Sequence, residues 1–322
     1  MFKISAIQDL QLAETLWQRY WPRQCLFDLW PVRACFQAHF NHNPYFLVAS
    51  DNDSFQGMLA LSWIDEEQCF GHFPGELWHG KTWLEQNRVI ADNSWVTRAL
   101  IDHIPSAFKI RYLSPDTLPP TGTSLTVDEI GYLFYPPQYG YSYQEYLQGF
   151  SGKSRKNIRR ELERLHERGV TYRYDQLADI DIMLRLNLES FKDQSYFADP
   201  RFLNAFEQLF NWLHAHHMLR VTTVVIGGTV AAVDVGAVWN SRYVVLAGGT
   251  HRDFPGVAKL INFHHFERSC RERLAVVDFL CGDFNWKARF HLSPRPLYQI
   301  TGQPAMAFQP DEIFEQRAIR AW

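Results

Sequence analysis

An acidic residue interrupts an apolar segment in the second half of the chain and is a candidate for proton transfer. Asp234 lies within Thr229–Trp239, where alternation places it on the same face as Ala232 and Val238. Burial of a carboxylate among apolar side chains costs free energy unless the group is paired or has a function. Burial also raises the pKa of a carboxyl group toward the range of a general base. Two roles therefore stay open for Asp234, a general base and a structural ion pair with an arginine.

A second group of residues with suitable chemistry follows a later apolar strand, predicted at 275–280. Asp278 lies within that strand, and the role favoured for it is to anchor neighbouring backbone or an arginine. Asp283 and Lys287 lie beyond the strand end, where a bound ligand has better access. A lysine there would neutralise a phosphate or a developing oxyanion, and the alternative is an ordinary surface lysine.

A glycine-bearing turn precedes the helix that connects two of these strands. The pattern predicts a strand at 244–250, a turn, and a helix at 257–273 with one broad apolar face. The first amides of a helix bind anions such as phosphates. Asp253 lies three residues before Gly256, where its side chain could cap this helix, and its carboxylate would repel an anion bound at the same place.

The elements that position these residues occur twice. Apolar periodicity predicts strand, helix, helix, strand, strand within residues 2–64, and the same order begins again at residue 170. This repetition indicates one α/β unit used twice, with domains at 1–140 and 141–322. A hairpin around 293–296 and a short helix at 311–320 are predicted to end the chain.

A strongly charged helix is predicted at 153–168, where the second domain begins. Lys153, Arg155 and Lys156 precede its first glutamate, and Gly169 ends it. One interpretation is a solvated helix that joins the two domains. The other is a basic cluster that faces a phosphate-bearing ligand.

Composition limits the classes of protein that remain. The chain has 322 residues, of which 46% are hydrophobic, so it can bury sizeable cores. Its formal net charge of −3 argues against a protein that coats DNA. Five cysteines without Cys-x-x-Cys spacing indicate free thiols in a reducing compartment. With no signal peptide, membrane span or metal-ligand spacing, we expect a soluble cytoplasmic protein without a metal or membrane insertion.

The element order, together with the turn at 252–258, resembles the GNAT acyltransferase superfamily. The second half resembles the acetyltransferase-type domain of tandem-GNAT proteins, which include Fem-like aminoacyl transferases and acyltransferases of surface-polysaccharide synthesis. The residues that carry this resemblance are Ser154-Arg155-Lys156, Pro255-Gly256, and residues 278–282 leading to Trp286-Lys287. The resemblance covers residues 130–290, and it covers the first half by element order alone.

The resemblance implies an α/β (α+β) fold of two tandem GNAT-like domains, each a mixed, mostly antiparallel sheet flanked by helices. It implies direct transfer from an acyl-CoA, such as acetyl-CoA, to an amine or hydroxyl of an amino sugar, amino acid or peptide. Two alternatives stay open. One is Fem-like aminoacyl transfer with aminoacyl-tRNA as the donor, and the other is a non-catalytic member that binds a ligand or a partner protein.

Under this resemblance the candidate residues form three groups. The catalytic candidates are Asp234, Asp283 and Lys287. The candidates for binding the donor are Gly249, Thr250, Arg252, Gly256, Val257, Ala258 and Lys259. The candidates for binding substrate are Lys153, Arg155, Lys156 and His251.

Overall fold

The computed structural model describes residues 3–52, 54–117, 125–282 and 286–303. The described residues divide into two compact units. The first unit draws on Met1–Pro22, Phe40–Asp128 and Leu297–Trp322, and the second on Arg23–His39 and Glu129–Pro296. The domain boundary near residue 140 stays a prediction.

The strands and helices are numbered in chain order. The strands are β1 Lys3–Ile7, β2 Pro44–Asp51, β3 Ser54–Ile64, β4 Cys69–His72, β5 Ile90–Ala91, β6 Phe108–Leu113, β7 Leu125–Phe134, β8 Val170–Tyr174, β9 Leu219–Ile226, β10 Thr229–Trp239, β11 Arg242–Thr250, β12 Val276–Asp278 and β13 Ser293–Gly302. The helices are α1 Leu10–Tyr20, α2 Trp30–Phe40, α3 Ser94–Asp102, α4 Tyr143–Gln148, α5 Gly152–His166, α6 Asp179–Phe191, α7 Pro200–Ala215, α8 Val257–Arg271 and α9 Trp286–Arg289.

The sheet of the first unit has the order β1-β2-β3-β4-β6-β13, and β5 pairs with β3. Neighbouring strands are antiparallel except β4 and β6, which are parallel at one register pair, Phe70 with Phe108. Helix α1 begins where the side chain of Asp9 accepts a hydrogen bond from the amide of Leu12 at 2.7 Å. Apolar side chains of α3 and of the strands form the core of this unit.

The sheet of the second unit has the order β7-β12-β11-β10-β9-β8, antiparallel except between β11 and β12. Two tight turns place its central strands side by side. Gly227 and Gly228 join β9 to β10 with φ angles of 57° and 83°, which glycine adopts without strain. Asn240 and Ser241 join β10 to β11, also with positive φ.

Helices α6 and α8 cover opposite faces of this sheet. A Cβ on Gly249 would lie 2.6 Å from the carbonyl oxygen of Met183, so α6 packs directly on the backbone of β11. The next residue toward the chain start, Gly248, is the register partner of Asp234, whose side chain bonds to His265 of α8. Because successive residues of a strand point to opposite faces, the two helices lie on opposite sides.

The mixed α/β fold with mostly antiparallel sheets and flanking helices is confirmed. The expected hairpin around 293–296 is wrong, because these residues belong to the single continuous strand β13. Pro294 and Pro296 fit there since proline also favours extended backbone and does not by itself force a turn. The helix expected at 311–320 lies outside the described residues. Across the described ranges, no helix has both the length and the apolarity needed to cross a membrane.

Candidate active site

Two neighbouring strands of the second unit diverge. Strands β11 and β12 run parallel over three register pairs, from Arg242 with Val276 to Val244 with Asp278. Strand β12 then ends, whereas β11 continues along β10 to Thr250. Within the described part of the chain, residues 245–250 therefore have a strand partner on one side only. We call the region between them and residues 279–282 the notch.

A β-bulge lies in the wall of the notch that β11 forms. Val235 of β10 pairs with Ala247, whereas the next residue, Gly236, pairs with Val245. Leu246 is therefore the extra residue of the bulge, without a register partner on β10. Bulges bend a strand and redirect its backbone groups, and this one acts where β11 leaves β12.

The N-terminus of α8 follows the end of β11. Gly256 is its N-cap residue, with a left-handed φ of 91° and no side-chain hydrogen bond that caps the helix. The backbone amides of Ala258 and Lys259 belong to the first turn, where an α-helix has donors without intrahelical acceptors. The positive end of the helix dipole adds to these donors, so this terminus suits an anionic group.

The capping of α8 by Asp253 that the sequence allowed does not occur. Residues 251–254 form a turn in which the amide of Phe254 donates to the carbonyl oxygen of His251 at 3.1 Å. This turn directs Asp253 outward, where its side chain is 71% exposed and lies 3.8 Å from Arg252 Nε. The carboxylate thus leaves the first turn of α8 uncovered.

Asp234 is buried beneath α8, and its partner is a histidine. His265 Nε2 lies 2.8 Å from Asp234 Oδ2, and the exposed fraction of His265 is 1%. The ion pair with an arginine that the sequence left open is therefore not the arrangement present. The space for the carboxylate comes from Gly248, because a Cβ there would collide with Asp234 Oδ1.

Lys287 and Asp278 organise the other wall of the notch. The ammonium of Lys287, which is 2% exposed, donates to the carbonyl oxygens of Phe279 at 2.9 Å, Leu280 at 2.8 Å and Cys281 at 3.0 Å. Asp278 accepts from the amide of Leu280 at 2.9 Å and pairs with Arg295 at 2.5 Å. The anchoring role expected for Asp278 is confirmed.

The donor-binding candidates meet at one end of the notch, with different surroundings. Thr250 ends β11, and Val257, the first residue of α8, is buried whereas Ala258 is exposed. The ammonium of Lys259 pairs with Glu161 of α5. The space beside Gly249 is filled by α6, so packing requires a glycine there whatever its role in binding.

The remaining candidates differ in their distance from the turn at Gly256. His251 lies in this turn, where its Nδ1 accepts from the amide of Asp253 at 3.2 Å. Lys153, Arg155 and Lys156 lie exposed at the start of α5, whereas Leu165 near its end would lie 3.7 Å from a Cβ on Gly256. At 1.5 Å per residue, Lys153 is about 18 Å farther along the helix. Asp283 lies outside the described residues.

Sequence reasoning misses two residues of this region. The sequence pattern assigns no catalytic role to His265, and it places Arg295 in the expected hairpin. The available signal is a histidine on the apolar face of a helix that follows two strands, the first of which contains a lone carboxylate. In the described residues, no group of three or more His, Cys, Asp or Glu side chains is arranged to hold a metal ion.

Comparison with known proteins identifies the domain that carries the notch. A family model described as an acetyltransferase (GNAT) domain matches residues 152–288. No curated protein matches the sequence of this chain.

Solved structures share the fold across nearly the whole chain. A conserved protein of unknown function from Bacteroides thetaiotaomicron VPI-5482 matches with a TM-score of 0.58 and 13% identity, covering 94% of this chain and 100% of its own. FemX matches at 0.57 and 10%, covering 96% and 98%. L-PGS from Bacillus licheniformis matches at 0.53 and 9%, covering 95% of each chain. These likenesses show a common fold, and residues 152–288 match the GNAT acetyltransferase family.

Proposed function

We propose that this protein is an acyltransferase that moves an acyl group from a donor in the notch to an amine or hydroxyl of a small acceptor. The observation that carries the proposal is the end of pairing between β11 and β12, on the strand that leads to the uncapped N-terminus of α8. Both features lie inside the segment that matches the acetyltransferase family. An open strand edge and a helix N-terminus suit two parts of one donor, an amide-bearing arm and a phosphate.

The first candidate donor is an acyl-CoA, including acetyl-CoA. Its phosphates would lie at the amides of Ala258 and Lys259, with Arg252 and Thr250 at the same end of the notch. Its thioester would then lie along residues 245–250, whose backbone has no strand partner on the notch side in the described residues. An acyl group held there is open to direct attack, without a covalent intermediate on the protein.

The catalytic candidates have separate roles in this proposal. Asp234 provides the negative charge that favours removal of a proton from the acceptor, because its carboxylate reaches over Gly248 beside the notch. Lys287 fixes the backbone of residues 279–281, on the opposite side of the notch, through its three hydrogen bonds to carbonyl oxygens. It also places a positive charge next to this backbone. Asp283 remains a candidate from its position in the sequence. The acceptor we propose is an amino sugar, an amino acid or a peptide.

A second candidate donor is aminoacyl-tRNA, and the surface of α5 favours it. Five cations on the first half of this helix are exposed and have no ion pair among the described residues; we call them the basic face: Lys153, Arg155, Lys156, Arg159 and Arg160. A row of unpaired cations binds a chain of phosphates through release of counterions. The fold is also shared with FemX and with the C-terminal domain of a putative lysylphosphatidylglycerol synthetase from Agrobacterium fabrum, at a TM-score of 0.50.

A binding and transfer experiment tests the function and separates the donors. The melting temperature is measured with acetyl-CoA, with longer acyl-CoAs and with aminoacyl-tRNA, because a ligand of the native state raises it. The donor that binds is then incubated with amino sugars, amino acids and dipeptides, and acylated product is detected by mass spectrometry. Product from any donor supports the proposal, and a protein that binds none of them refutes it.

A further inference from the structure

Four buried polar side chains from four elements lie together under α8. His265 Nε2 is 2.8 Å from Asp234 Oδ2. Thr222 of β9 is the register partner of Asp234, and the ring centre of Tyr243 of β11 lies 5.2 Å from that of His265. Each of these residues is at most 7% exposed. The core of a GNAT domain thus contains a polar cluster beside the notch.

Hydrogen bonding in this cluster is incomplete. Among the described residues, His265 Nδ1, the Tyr243 hydroxyl and Thr222 Oγ1 have no hydrogen-bond partner. Buried polar atoms are nearly always paired, so three unpaired atoms in one place need an explanation. Because Asp234 accepts from Nε2, a neutral His265 carries its proton on Nε2 and a free lone pair on Nδ1. The unpaired ring nitrogen is therefore a base.

The cluster lies where the two strands diverge. Tyr243 pairs with Val277 within the first three residues of β11, the part that runs beside β12. Phe279 follows β12 directly, and its ring centre is 6.5 Å from that of His265. The imidazole thus lies near both sides of the point at which the notch begins.

A glycine gives Asp234 its place beside the open edge of β11. Gly248 is the register partner of Asp234 on β11, and any side chain there would collide with Asp234 Oδ1. The side chain of Asp234 remains 10% exposed, although His265 is almost completely covered. The pair is therefore buried, and Asp234 keeps a small accessible area.

We propose that His265 Nδ1 accepts the proton of the attacking amine or hydroxyl, and that Asp234 is the positioning residue that orients the imidazole and stabilises its cation. This inference rests on the proposed acyl transfer and holds for either donor. The nucleophile forms a bond to the acyl carbon, and the C–S bond of a thioester or the C–O bond of an aminoacyl ester breaks. The proton moves from the nucleophile to Nδ1 and then to the leaving sulfur or oxygen, so charge and atoms balance.

The charged and titratable groups around the pair come from several elements. They are Tyr243 on β11, Arg220 on β9, Asp175 after β8, His264 and Arg268 on α8, and Glu272 at its end. Glu272 pairs with Arg220 and with Arg268, each at 2.6 Å. Asp234 is the anion bonded to His265. We therefore expect the loss of its charge to destabilise the protonated ring of His265 more than the loss of any other charge in this group.

Two conservative variants and a matched control test this role. His265→Gln and Asp234→Asn keep polar groups of similar size, and His264→Gln changes the neighbouring histidine, which packs against Tyr172 at 4.0 Å between ring centres. Each variant and the wild type are incubated with acetyl-CoA or aminoacyl-tRNA and an amine acceptor between pH 5 and 9. Melting temperatures and donor affinities are measured alongside turnover.

We expect His265→Gln to lower kcat by about a hundredfold or more, the usual contribution of a general base, with donor affinity within about twofold of wild type. The acidic limb of its pH–rate profile should disappear. In Asp234→Asn the limb should move to lower pH, because the imidazolium loses its anion. His264→Gln should keep the kcat and the profile of the wild type.

Different results would overturn the proposed role of His265 and the proposed acyltransferase function. If the wild type transfers acyl groups and His265→Gln has the same kcat and acidic limb, the role of His265 is wrong and the acyltransferase stands. If the wild type neither binds nor uses any donor, both are wrong. NMR of protein labelled with ¹⁵N-histidine gives an independent reading should a variant fail to fold. A proton on Nδ1 instead of Nε2 of neutral His265 would also refute the assignment.

Discussion

The ammonium of Lys287 donates a hydrogen bond to the carbonyl oxygen of Leu280 at 2.8 Å, across a backbone turn with an unusual conformation. Leu280 has a φ of 56°, in the left-handed region that residues with a side chain seldom adopt. Together with the hydrogen bonds to Phe279 and Cys281, this bond fixes the backbone that follows β12. The lysine therefore links the stability of the domain to the shape of the notch.

Replacement of this buried lysine should destabilise the protein. Lys287→Met removes the charge but keeps most of the aliphatic chain. The carbonyl oxygens of residues 279–281 lose their hydrogen bonds to the ammonium, although that of Leu280 still accepts from the amide of Tyr132 at 3.3 Å. We expect the free energy of unfolding to fall by about 1–3 kcal/mol, because buried carbonyl oxygens lose their hydrogen bonds to a charged donor. Urea unfolding gives this value. Lys156→Met on exposed α5 is the matched control and should change it by less than about 0.5 kcal/mol.

A negative charge in the first turn of α8 should weaken donor binding without unfolding the protein. Ala258 is exposed there, and the helix dipole favours an aspartate at this position. Ala258→Asp should therefore keep the melting temperature. Repulsion of a donor phosphate by the new carboxylate should raise the Kd about tenfold or more. Calorimetric titration with acetyl-CoA measures this Kd.

The neutral variant Ala258→Asn controls for the size of the new side chain. It should bind acetyl-CoA within about threefold of wild type. Equal affinities of Ala258→Asp and Ala258→Asn would show that the donor phosphates do not lie at this helix terminus.

Removal of charge from the basic face should reduce the salt dependence of aminoacyl-tRNA binding. The triple variant Lys153→Gln, Arg155→Gln, Lys156→Gln removes three of its five cations. If aminoacyl-tRNA is the donor, the slope of log K against log salt should fall by up to about 3, nearly one for each phosphate that is no longer neutralised. Filter binding between 50 and 200 mM salt, as an approximate range, measures this slope.

Three exposed arginines elsewhere in the second unit provide the comparison: Arg185, Arg242 and Arg271. Their replacement by glutamine makes the same change in net charge away from the basic face. If both triple variants reduce the slope equally, general charge explains the binding and the basic face has no special role.

The stability of the protein should fall in mild acid partly because of His264. Burial, helped by the charges of His265, Arg268 and Arg271, lowers the pKa of His264 from 6.5 to about 3. Below pH 6.5 the unfolded chain binds a proton at this site and the folded protein does not. Stability is therefore lost as pH decreases from 6.5 toward 3, by about 1.4 kcal/mol per pH unit for this group.

The variant His264→Gln removes this titration. Its free energy of unfolding, measured by urea at pH 7, 6 and 5, should fall less than that of the wild type, by about 2 kcal/mol at pH 5. His166→Gln, at an exposed position near the end of α5, should lose as much unfolding free energy between pH 7 and pH 5 as the wild type. Parallel curves for His264→Gln and wild type would mean that His264 does not resist protonation in the folded state.

The sequence by itself determined the secondary structure and the fold class. Periodicity and turn residues depend on neighbours in the chain, so the hairpin at Gly227-Gly228 and helix α8 lie close to their predicted positions. The order of these elements was enough to indicate the GNAT resemblance. Strand β4 has only four residues and was missed, since so short a segment shows no clear alternation.

Only the tertiary structure decided which side chains meet. Asp234 and His265 are 31 residues apart, and neither the glycine that gives the carboxylate room nor the β-bulge at Leu246 leaves a mark on local periodicity. The carbonyls that surround Lys287 converge because residues 279–281 depart from regular strand geometry. Such interactions depend on how distant elements pack, and a pattern read along one strand or helix contains no information about the face it will meet.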